Sequence, residues 1–399
     1  MRLFQIIHSY PAYLPVFEAR LPHGGADLSF AEHVQALLAD RFYASHILEP
    51  VLGGNPNAFF TIWDYPALQL KWARERNWAE TDLKEILRAQ LEEFQPDVFY
   101  NCSPIRFSPE EIRYLPGSGL IKLAWYASPE TQSIDFSVYH AMLSNYPPFI
   151  TAQSARGVRC ELFQPSYDPA MGPFAAVEER PIDILFYGQY HPVYFRKRNE
   201  LVDQLIRLKR QTDWNIKVAL QYDCSMLSVL PKFLPRRVRD RFRWRQYPAE
   251  NVKQNSDEPL YGQDLYATLS QSKIVLNAAT DMCTEFKVNM RNIEALDCGA
   301  HMLAEPGQYP DGLQAGRDFS TYAGFADFVA QAAAFLDRPA ESRAIAHRGH
   351  AAVRQNFSKG EQWRHFKKIV ADCPGGGRPL SRRRIAIPTG PAPDLSVFN

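Results

Sequence analysis

The chain has 399 residues, of which 46% are hydrophobic and 22% are charged, and its formal net charge is +1. A nearly neutral chain lacks the overall basic charge of many nucleic-acid-binding proteins, so we expect no nucleic-acid partner. The chain is long for a single hydrophobic core and accommodates two domains. No apolar stretch approaches the roughly 18 residues of a membrane-spanning helix, and the N-terminus lacks the features of a signal peptide, so we expect a cytoplasmic protein.

The first half of the chain predicts short strands that alternate with helices. Residues 3–7, 58–62 and 119–125 are apolar runs of strand length, and 119–125 is apolar enough to be buried on both faces. Residues 83–94 repeat apolar side chains at helical spacing, which predicts an amphipathic helix. Strands that alternate with helices are typical of βαβ units around a parallel sheet.

A second series of the same kind follows a linker-like stretch at residues 164–173. Its predicted strands lie at 182–187, 215–220, 274–277 and 301–304. The sequence therefore predicts an α/β protein with two Rossmann-like, doubly wound domains, at residues 1–172 and 173–372. The tail at 373–399 contains three consecutive glycines, an arginine triplet and several prolines, and we expect it to be flexible.

The stretch at residues 261–306 contains the most informative pattern. It predicts a strand that ends at Asn277, an irregular loop, and a helix that begins around Asn289. Arg291 then lies in the first turn of the helix, where a guanidinium can pair with a diphosphate. Glu294 follows three residues later on roughly the same face, and its carboxylate suits the two hydroxyls of a ribose.

This pattern resembles the donor-binding signature of GT-B glycosyltransferases, in particular the branch of the CgeB-like proteins and the glycosyl transferases group 1 domain. That branch reads N-x-R-x-x-E-A-x-x-x-G followed by a strand and an acidic residue. The matching residues are Asn289, Arg291, Glu294, Ala295, Gly299 and Glu305. The resemblance implies a GT-B fold, in which two domains face across a cleft and the C-terminal domain binds a nucleotide sugar, with UDP- or GDP-sugars favoured.

Two further residues are candidates for the nucleotide site. Gly188 ends the strand that opens the second domain, where it either allows close approach of a phosphate or simply makes a turn. Arg198 begins the next helix and either binds the donor or is a surface charge. Asn289 can also cap its helix. Glu294 can also form a salt bridge with Arg291.

One departure from the family pattern leaves the stereochemistry open. Many retaining GT-B enzymes have two glutamates eight positions apart around this helix. Here Phe286 lies eight residues before Glu294, and Glu285 is one position away. The sequence therefore does not decide between an inverting and a retaining transfer.

Three residues of the first domain are candidates for the catalytic base that an inverting transfer needs. His8 follows the first predicted strand and titrates near neutrality in water. Asp64 follows the second strand, and Glu130 follows the strand that ends near Trp125. The residue pattern alone does not rank them.

The sequence predicts no metal site. Its six cysteines contain no C-x-x-C pair, and no D-x-D motif follows a predicted strand. The resemblance implies the same, because GT-B enzymes generally hold the diphosphate with basic side chains.

A basic segment lies at residues 231–247, with seven Lys or Arg and interleaved aromatic and aliphatic side chains. Such a segment can contact an anionic membrane face or a lipid-diphosphate acceptor, which would place the protein peripherally at the inner membrane face. The alternative is a solvated helix whose arginines pair with neighbouring acids.

Taken together, the residues and the resemblance predict a metal-independent glycosyltransferase that uses a glycan, a lipid-linked glycan or a protein as acceptor. A nucleotide-sugar 2-epimerase is the alternative enzyme. A non-catalytic glycan- or coat-associated protein that retains the fold is the alternative from another class.

Overall fold

The computed structural model describes residues 1–117, 119–129, 134–191, 195–222, 250–279 and 285–374. Glu130, the basic segment 231–247 and residues 375–399 of the predicted tail lie outside the described residues. The chain divides into two compact units. Unit 1 consists of Met1–Gln164 and Gly360–Asn399, and unit 2 consists of Pro165–Lys359.

Unit 1 contains a six-stranded parallel sheet with the order β2-β1-β3-β4-β5-β6. The strands are β1 (Leu3–Ile7), β2 (Ala58–Ile62), β3 (Val98–Asn101), β4 (Ile121–Trp125), β5 (Ala141–Ser144) and β6 (Cys160–Leu162). All five residues of β1 are buried, because this strand is paired on both edges and covered on both faces. Such full burial explains why its sequence is continuously apolar apart from Gln5.

Helices connect these strands. They are α1 (Leu14–Glu18), α2 (Phe30–Asp40), α3 (Glu49–Leu52), α4 (Pro66–Arg74), α5 (Leu83–Phe94), α6 (Pro109–Arg113) and α7 (Pro147–Ser154). Helix α2 begins with a capping box, in which the Ser29 side chain accepts from the Glu32 amide and the Glu32 carboxylate accepts from the Ser29 amide. Helix α5 buries Ile86, Leu87 and Leu91, the stripe that the sequence predicted.

Unit 2 contains a five-stranded parallel sheet with the order β11-β10-β9-β7-β8. The strands are β7 (Ile182–Gln189), β8 (Ile216–Gln221), β9 (Ser272–Asn277), β10 (His301–Ala304) and β11 (Ser320–Thr321).

The helices of unit 2 cover both faces of this sheet. They are α8 (Gly172–Ala175), α9 (Arg196–Gln211), α10 (Glu250–Asn255), α11 (Gly262–Ser270), α12 (Arg291–Asp297), α13 (Phe325–Asp337) and α14 (Pro339–Asn356). Alternate residues of β7 enter different cores: Leu185 packs with α11, α12 and α14, whereas Ile184 packs with α9 and α13. Two apolar faces on one parallel sheet are the doubly wound arrangement, so the predicted α/β class is confirmed.

The last helix, α15 (Lys359–Ala371), returns to unit 1. Phe366 is fully buried there, with its ring centroid 5.0 Å from that of Tyr100 and 6.1 Å from that of Phe163. The observed division therefore differs from the predicted domains 1–172, 173–372 and 373–399 in two places. Unit 2 begins at Pro165, and α15 belongs to the first core rather than the second.

Two further observations concern the described part of the chain. None of its helices combines the length and the apolar character that crossing a membrane requires. Four cysteines, Cys102, Cys160, Cys298 and Cys373, are free thiols.

Candidate functional site

The candidate site of unit 2 lies at the carboxyl ends of three neighbouring strands. Gly188 is the last residue but one of β7, Asn277 ends β9, and Glu305 follows β10. Helix α12, which begins at Arg291, follows the loop after β9. Ligands of doubly wound sheets bind at this edge, since the connecting loops open there.

The Arg291 guanidinium lies against the end of β7. Its Nη1 donates a hydrogen bond to the carbonyl oxygen of Tyr187 at 3.2 Å. A Cβ atom added to Gly188 would lie 3.0 Å from the same nitrogen, so glycine at this position leaves room for the guanidinium. Among the described residues this is the only hydrogen bond that the Arg291 side chain makes, and its other N–H groups remain available for an anion.

Glu294 lies one helical turn after Arg291 and is 8% exposed. Its Oε2 accepts a hydrogen bond from the Tyr187 hydroxyl at 3.0 Å. Burial raises the pKa of the Glu294 carboxyl, while the Tyr187 hydrogen bond and the Arg291 charge oppose that rise. No ion pair joins Glu294 to Arg291 in the described structure. The alternative of a structural salt bridge between them is therefore replaced by two separate contacts with Tyr187.

Tyr187 was not recognised from the sequence. Its carbonyl holds the guanidinium of Arg291, and its hydroxyl holds the carboxylate of Glu294. Its position in the sequence could have identified it, because it carries a phenol within a predicted buried strand and a buried hydroxyl needs a hydrogen-bond partner.

Three asparagines fasten the start of α12 to the end of β9. Asn277 Nδ2 donates to Asn292 Oδ1 at 2.6 Å, and the amides of Asn277 and Asn289 lie 3.4 Å apart in both directions. Asn292 Nδ2 donates in turn to the carbonyl of Lys287. The Asn289 side chain makes no capping hydrogen bond to α12, so it contacts the strand instead of capping the helix.

Glu305 fastens the loop between β9 and α12 to β10. Its Oε2 accepts from the amide of Ala279 at 3.2 Å and lies 2.9 Å from the nearly buried ammonium of Lys287. Glu305, the acidic residue of the predicted signature, therefore makes structural contacts with the loop between β9 and α12.

Arg198 lies near the same strand end but differs from Arg291 in its surroundings. It is 3% exposed, its Nη2 donates to the carbonyl of Gln189 at 2.8 Å, and its guanidinium lies 3.7 Å from the ring centroid of Phe195. These contacts support the loop after β7.

In unit 1, His8 and Asp64 lie at the carboxyl ends of the adjacent strands β1 and β2. Asp64 Oδ1 accepts from the Ser9 amide at 2.5 Å, and its Oδ2 lies 3.9 Å from Arg106 Nη1. The His8 Nδ1 atom is buried and has no hydrogen-bond partner among the described residues.

The electrostatic surroundings keep His8 neutral. Burial first, and then the charge of Arg106, lower the pKa of the imidazole to about 4, against a smaller opposing effect of Asp64. Arg106, in the loop after β3, was also missed by the sequence reasoning. The third candidate, Glu130, lies outside the described residues.

Among the described residues, no group of three or more His, Cys, Asp and Glu side chains is arranged to hold a metal ion.

Residues 196–367 match the family model described as glycosyl transferase-like. This range contains Arg198, Asn289, Arg291 and Glu294. A comparison with curated proteins finds no significant match.

Solved structures resemble the whole chain. HepE from Anabaena, in complex with UDP and glucose, superposes with a TM-score of 0.54 at 10% identity and covers 93% of this chain and 100% of its own. The same protein with UDP-glucose has a TM-score of 0.53 at 10% identity, covering 92% and 99%. A glycosyltransferase from Rickettsia africae has a TM-score of 0.50 at 12% identity, covering 93% and 98%. Identities this low establish the fold alone.

The two doubly wound sheets agree with the fold of these structures, and the family match covers the segment with the predicted signature. The chain has the GT-B fold, and its segment at residues 196–367 matches a glycosyl transferase-like family model.

Proposed function

We propose that the protein transfers a sugar from a UDP-sugar to a hydroxyl group of a glycan, a lipid-linked glycan or a protein. The observation that carries this proposal is the placement of Arg291 and Glu294 around Tyr187 at the end of β7. HepE, which shares the fold, was solved with UDP, glucose and UDP-glucose, and this favours UDP over GDP as the nucleotide.

In this proposal Arg291 binds the diphosphate. Its remaining N–H groups match the oxygens of a phosphate in a planar, bidentate geometry. The absent side chain of Gly188 lets the diphosphate approach both the strand end and the guanidinium. Arg198 stabilises the loop after β7 by its hydrogen bond to Gln189, and Asn289 links the start of α12 to Asn277.

Glu294 binds the ribose of the nucleotide. A carboxylate accepts hydrogen bonds from two adjacent hydroxyls, and Glu294 keeps one oxygen, Oε1, without a partner among the described residues. Burial disfavours the charge of this carboxylate and raises its pKa, and hydrogen bonds donated by the ribose hydroxyls would stabilise the charged form.

The transfer needs no metal ion in this proposal. The bond between the sugar and the diphosphate breaks with negative charge developing on the leaving UDP, and the Arg291 guanidinium stabilises that charge. We therefore expect EDTA to leave donor binding and transfer unchanged.

His8 is the proposed base of the reaction. Its imidazole is neutral at pH 7, because burial and Arg106 lower its pKa to about 4. The unprotonated nitrogen has a lone pair for the proton of the acceptor hydroxyl, but the low pKa makes the ring a weak base unless a nearby negative charge raises that pKa. The negative charge of Asp64 raises the pKa of His8 and so stabilises the imidazolium that forms. Glu130 remains the rival candidate from the sequence.

The basic segment 231–247 is the proposed contact with an anionic membrane face. It lies outside the described residues, so the proposal rests on its seven basic side chains and the aromatic residues between them.

The test is an assay of the purified protein with UDP-glucose, UDP-N-acetylglucosamine and GDP-mannose in the presence of EDTA. Free UDP is measured by chromatography, and the sugar product by NMR. We expect UDP release from at least one UDP-sugar, a loss of at least about 30-fold in Arg291→Ala, and little change in the exposed control Arg210→Ala.

Two results would contradict the proposal. Release of an intact, epimerised nucleotide sugar would indicate the 2-epimerase. The absence of any reaction, together with the absence of nucleotide binding, would indicate a non-catalytic protein.

A further inference from the structure

Arg106 is a charged residue of unit 1 whose charge acts on His8, the proposed base, and it has no role in the proposed function. It lies in the loop after β3, close to Asp64 of the loop after β2, and 51% of its side chain is exposed. Among the described residues its guanidinium makes no hydrogen bond, and its only ionic contact is with Asp64 Oδ2 at 3.9 Å.

This contact is longer than the shortest ion pairs of three other arginines in unit 1. Arg76, Arg20 and Arg113 approach their carboxylates to 2.5, 2.7 and 2.8 Å. A separation of 3.9 Å is beyond hydrogen-bond distance, so the half-exposed guanidinium of Arg106 donates no hydrogen bond to Asp64. Asp64 meanwhile uses its other oxygen for the Ser9 amide. The loop therefore holds a cation whose hydrogen-bonding capacity is almost unused.

The charge of Arg106 also acts on His8, the proposed base. A cation close to an imidazole disfavours its protonation, and the reaction would have to protonate this ring. An oxyanion bound to Arg106 would offset the cation and make the imidazole a stronger base when the acceptor is present.

We infer that Arg106 binds an anionic group of the acceptor, a phosphate or a carboxylate, beside the hydroxyl group that receives the sugar. This inference rests on the proposed function. In the reaction a bond forms between the acceptor oxygen and the anomeric carbon, and the bond from that carbon to UDP breaks. The proton of the hydroxyl moves to His8, and the electron pair of the broken bond leaves with UDP.

The inference is tested on the full chain with inorganic phosphate and acetate as probes. The His8 ring is observed by NMR in protein labelled at histidine, with His8→Gln used for assignment. In the wild type, phosphate or acetate should shift the His8 resonance and raise its pKa, and the more effective of the two identifies the anion. Arg106→Gln should weaken that effect at least about tenfold, and Arg106→Lys should retain part of it.

The control is Arg113→Gln, an arginine of similar exposure that is paired with Asp135. It should behave as the wild type. Binding of UDP is measured in every sample and reports on both folding and the donor site. If UDP binds and neither anion affects His8, or if Arg106→Gln leaves the effect intact, the inference is wrong while the proposed function stands. If the wild type binds no UDP, the proposed function fails, and the inference fails with it.

Discussion

At the scale of single residues, Tyr187 connects the two side chains that the proposal assigns to the nucleotide. Its carbonyl accepts from Arg291 and its hydroxyl donates to Glu294, so one strand residue determines where a guanidinium and a carboxylate stand. A helix turn alone brings Arg291 and Glu294 to the same face but leaves their side chains free to rotate. The hydrogen bonds to Tyr187 at the end of β7 fix the orientation of both side chains.

Tyr187→Phe should therefore remove the contact of Tyr187 with Glu294 and keep its contact with Arg291. The carbonyl bond to Arg291 remains, whereas the hydrogen bond that lowers the pKa of Glu294 is lost, so the pKa of this carboxyl rises further above its ordinary value. The Michaelis constant for the UDP-sugar should rise about three- to tenfold, with kcat changed less. The increase should be larger at lower pH, because more of the variant's Glu294 is then protonated. Steady-state kinetics between pH 5.5 and 8 would measure this.

The matched control is Tyr266→Phe, which loses a buried phenol hydrogen bond to Asp168 instead of one to Glu294. It should lower stability and leave the Michaelis constant unchanged. An equal rise in both variants would mean that Tyr187 acts through stability alone.

The sequence indicated Arg291, Glu294, His8 and Asp64 as candidates because they follow predicted strands or fit a signature. It missed Tyr187 and Arg106 for a physical reason. Their roles depend on contacts between elements that are distant in the sequence. Tyr187 contacts Arg291 and Glu294 of α12, and Arg106 after β3 lies 3.9 Å from Asp64 after β2. Local periodicity does not report such contacts.

At the scale of elements, α12 packs so closely against α14 that one position of α14 has no room for a side chain. In α14, Gly349 lies so close to the loop before β11 that an added Cβ would be 2.3 Å from the Asp318 carbonyl oxygen and 2.7 Å from Leu296 Cδ2. Leu296 belongs to α12, so the small residue lets α14 support the helix that carries Arg291 and Glu294.

Gly349→Ala should be destabilising, although alanine is the better helix former at an unconstrained position. We expect a loss of about 2–3 kcal/mol in the free energy of unfolding, measured by urea denaturation, because the backbone carbonyl cannot move aside cheaply. The control is Gly360→Ala in α15, where an added Cβ meets nothing within 4 Å. A neutral or stabilising result for Gly349→Ala would contradict the packing described for α14.

The same scale explains how far the elements could be predicted. Continuous apolar runs located β1 and β4, and helical spacing located α5, because burial on two faces or on one face leaves a direct pattern. The partner of an amphipathic helix is not part of that pattern. The sequence of α15 indicates an apolar face, but only the buried contacts of Phe366 with Tyr100 and Phe163 assign it to unit 1.

At the scale of the whole molecule, the chain passes between its two units twice, after Gln164 and again at Lys359. A single linker near residue 172 was predicted because composition changes there, and composition does not report the return of the last helix. Each unit nevertheless has its own parallel sheet and its own buried apolar residues, and this is the arrangement that the alternation of strands and helices predicted.

In the proposed function, unit 2 binds the diphosphate of UDP through Arg291 without a metal ion. Calorimetric titration of the full chain with UDP in EDTA measures this binding for the wild type, Arg291→Ala and Arg210→Ala. We expect binding by the wild type and the Arg210 variant, and a dissociation constant weakened at least about 30-fold in the Arg291 variant. Binding that requires a divalent cation, or that is equally strong in Arg291→Ala, would refute the proposal.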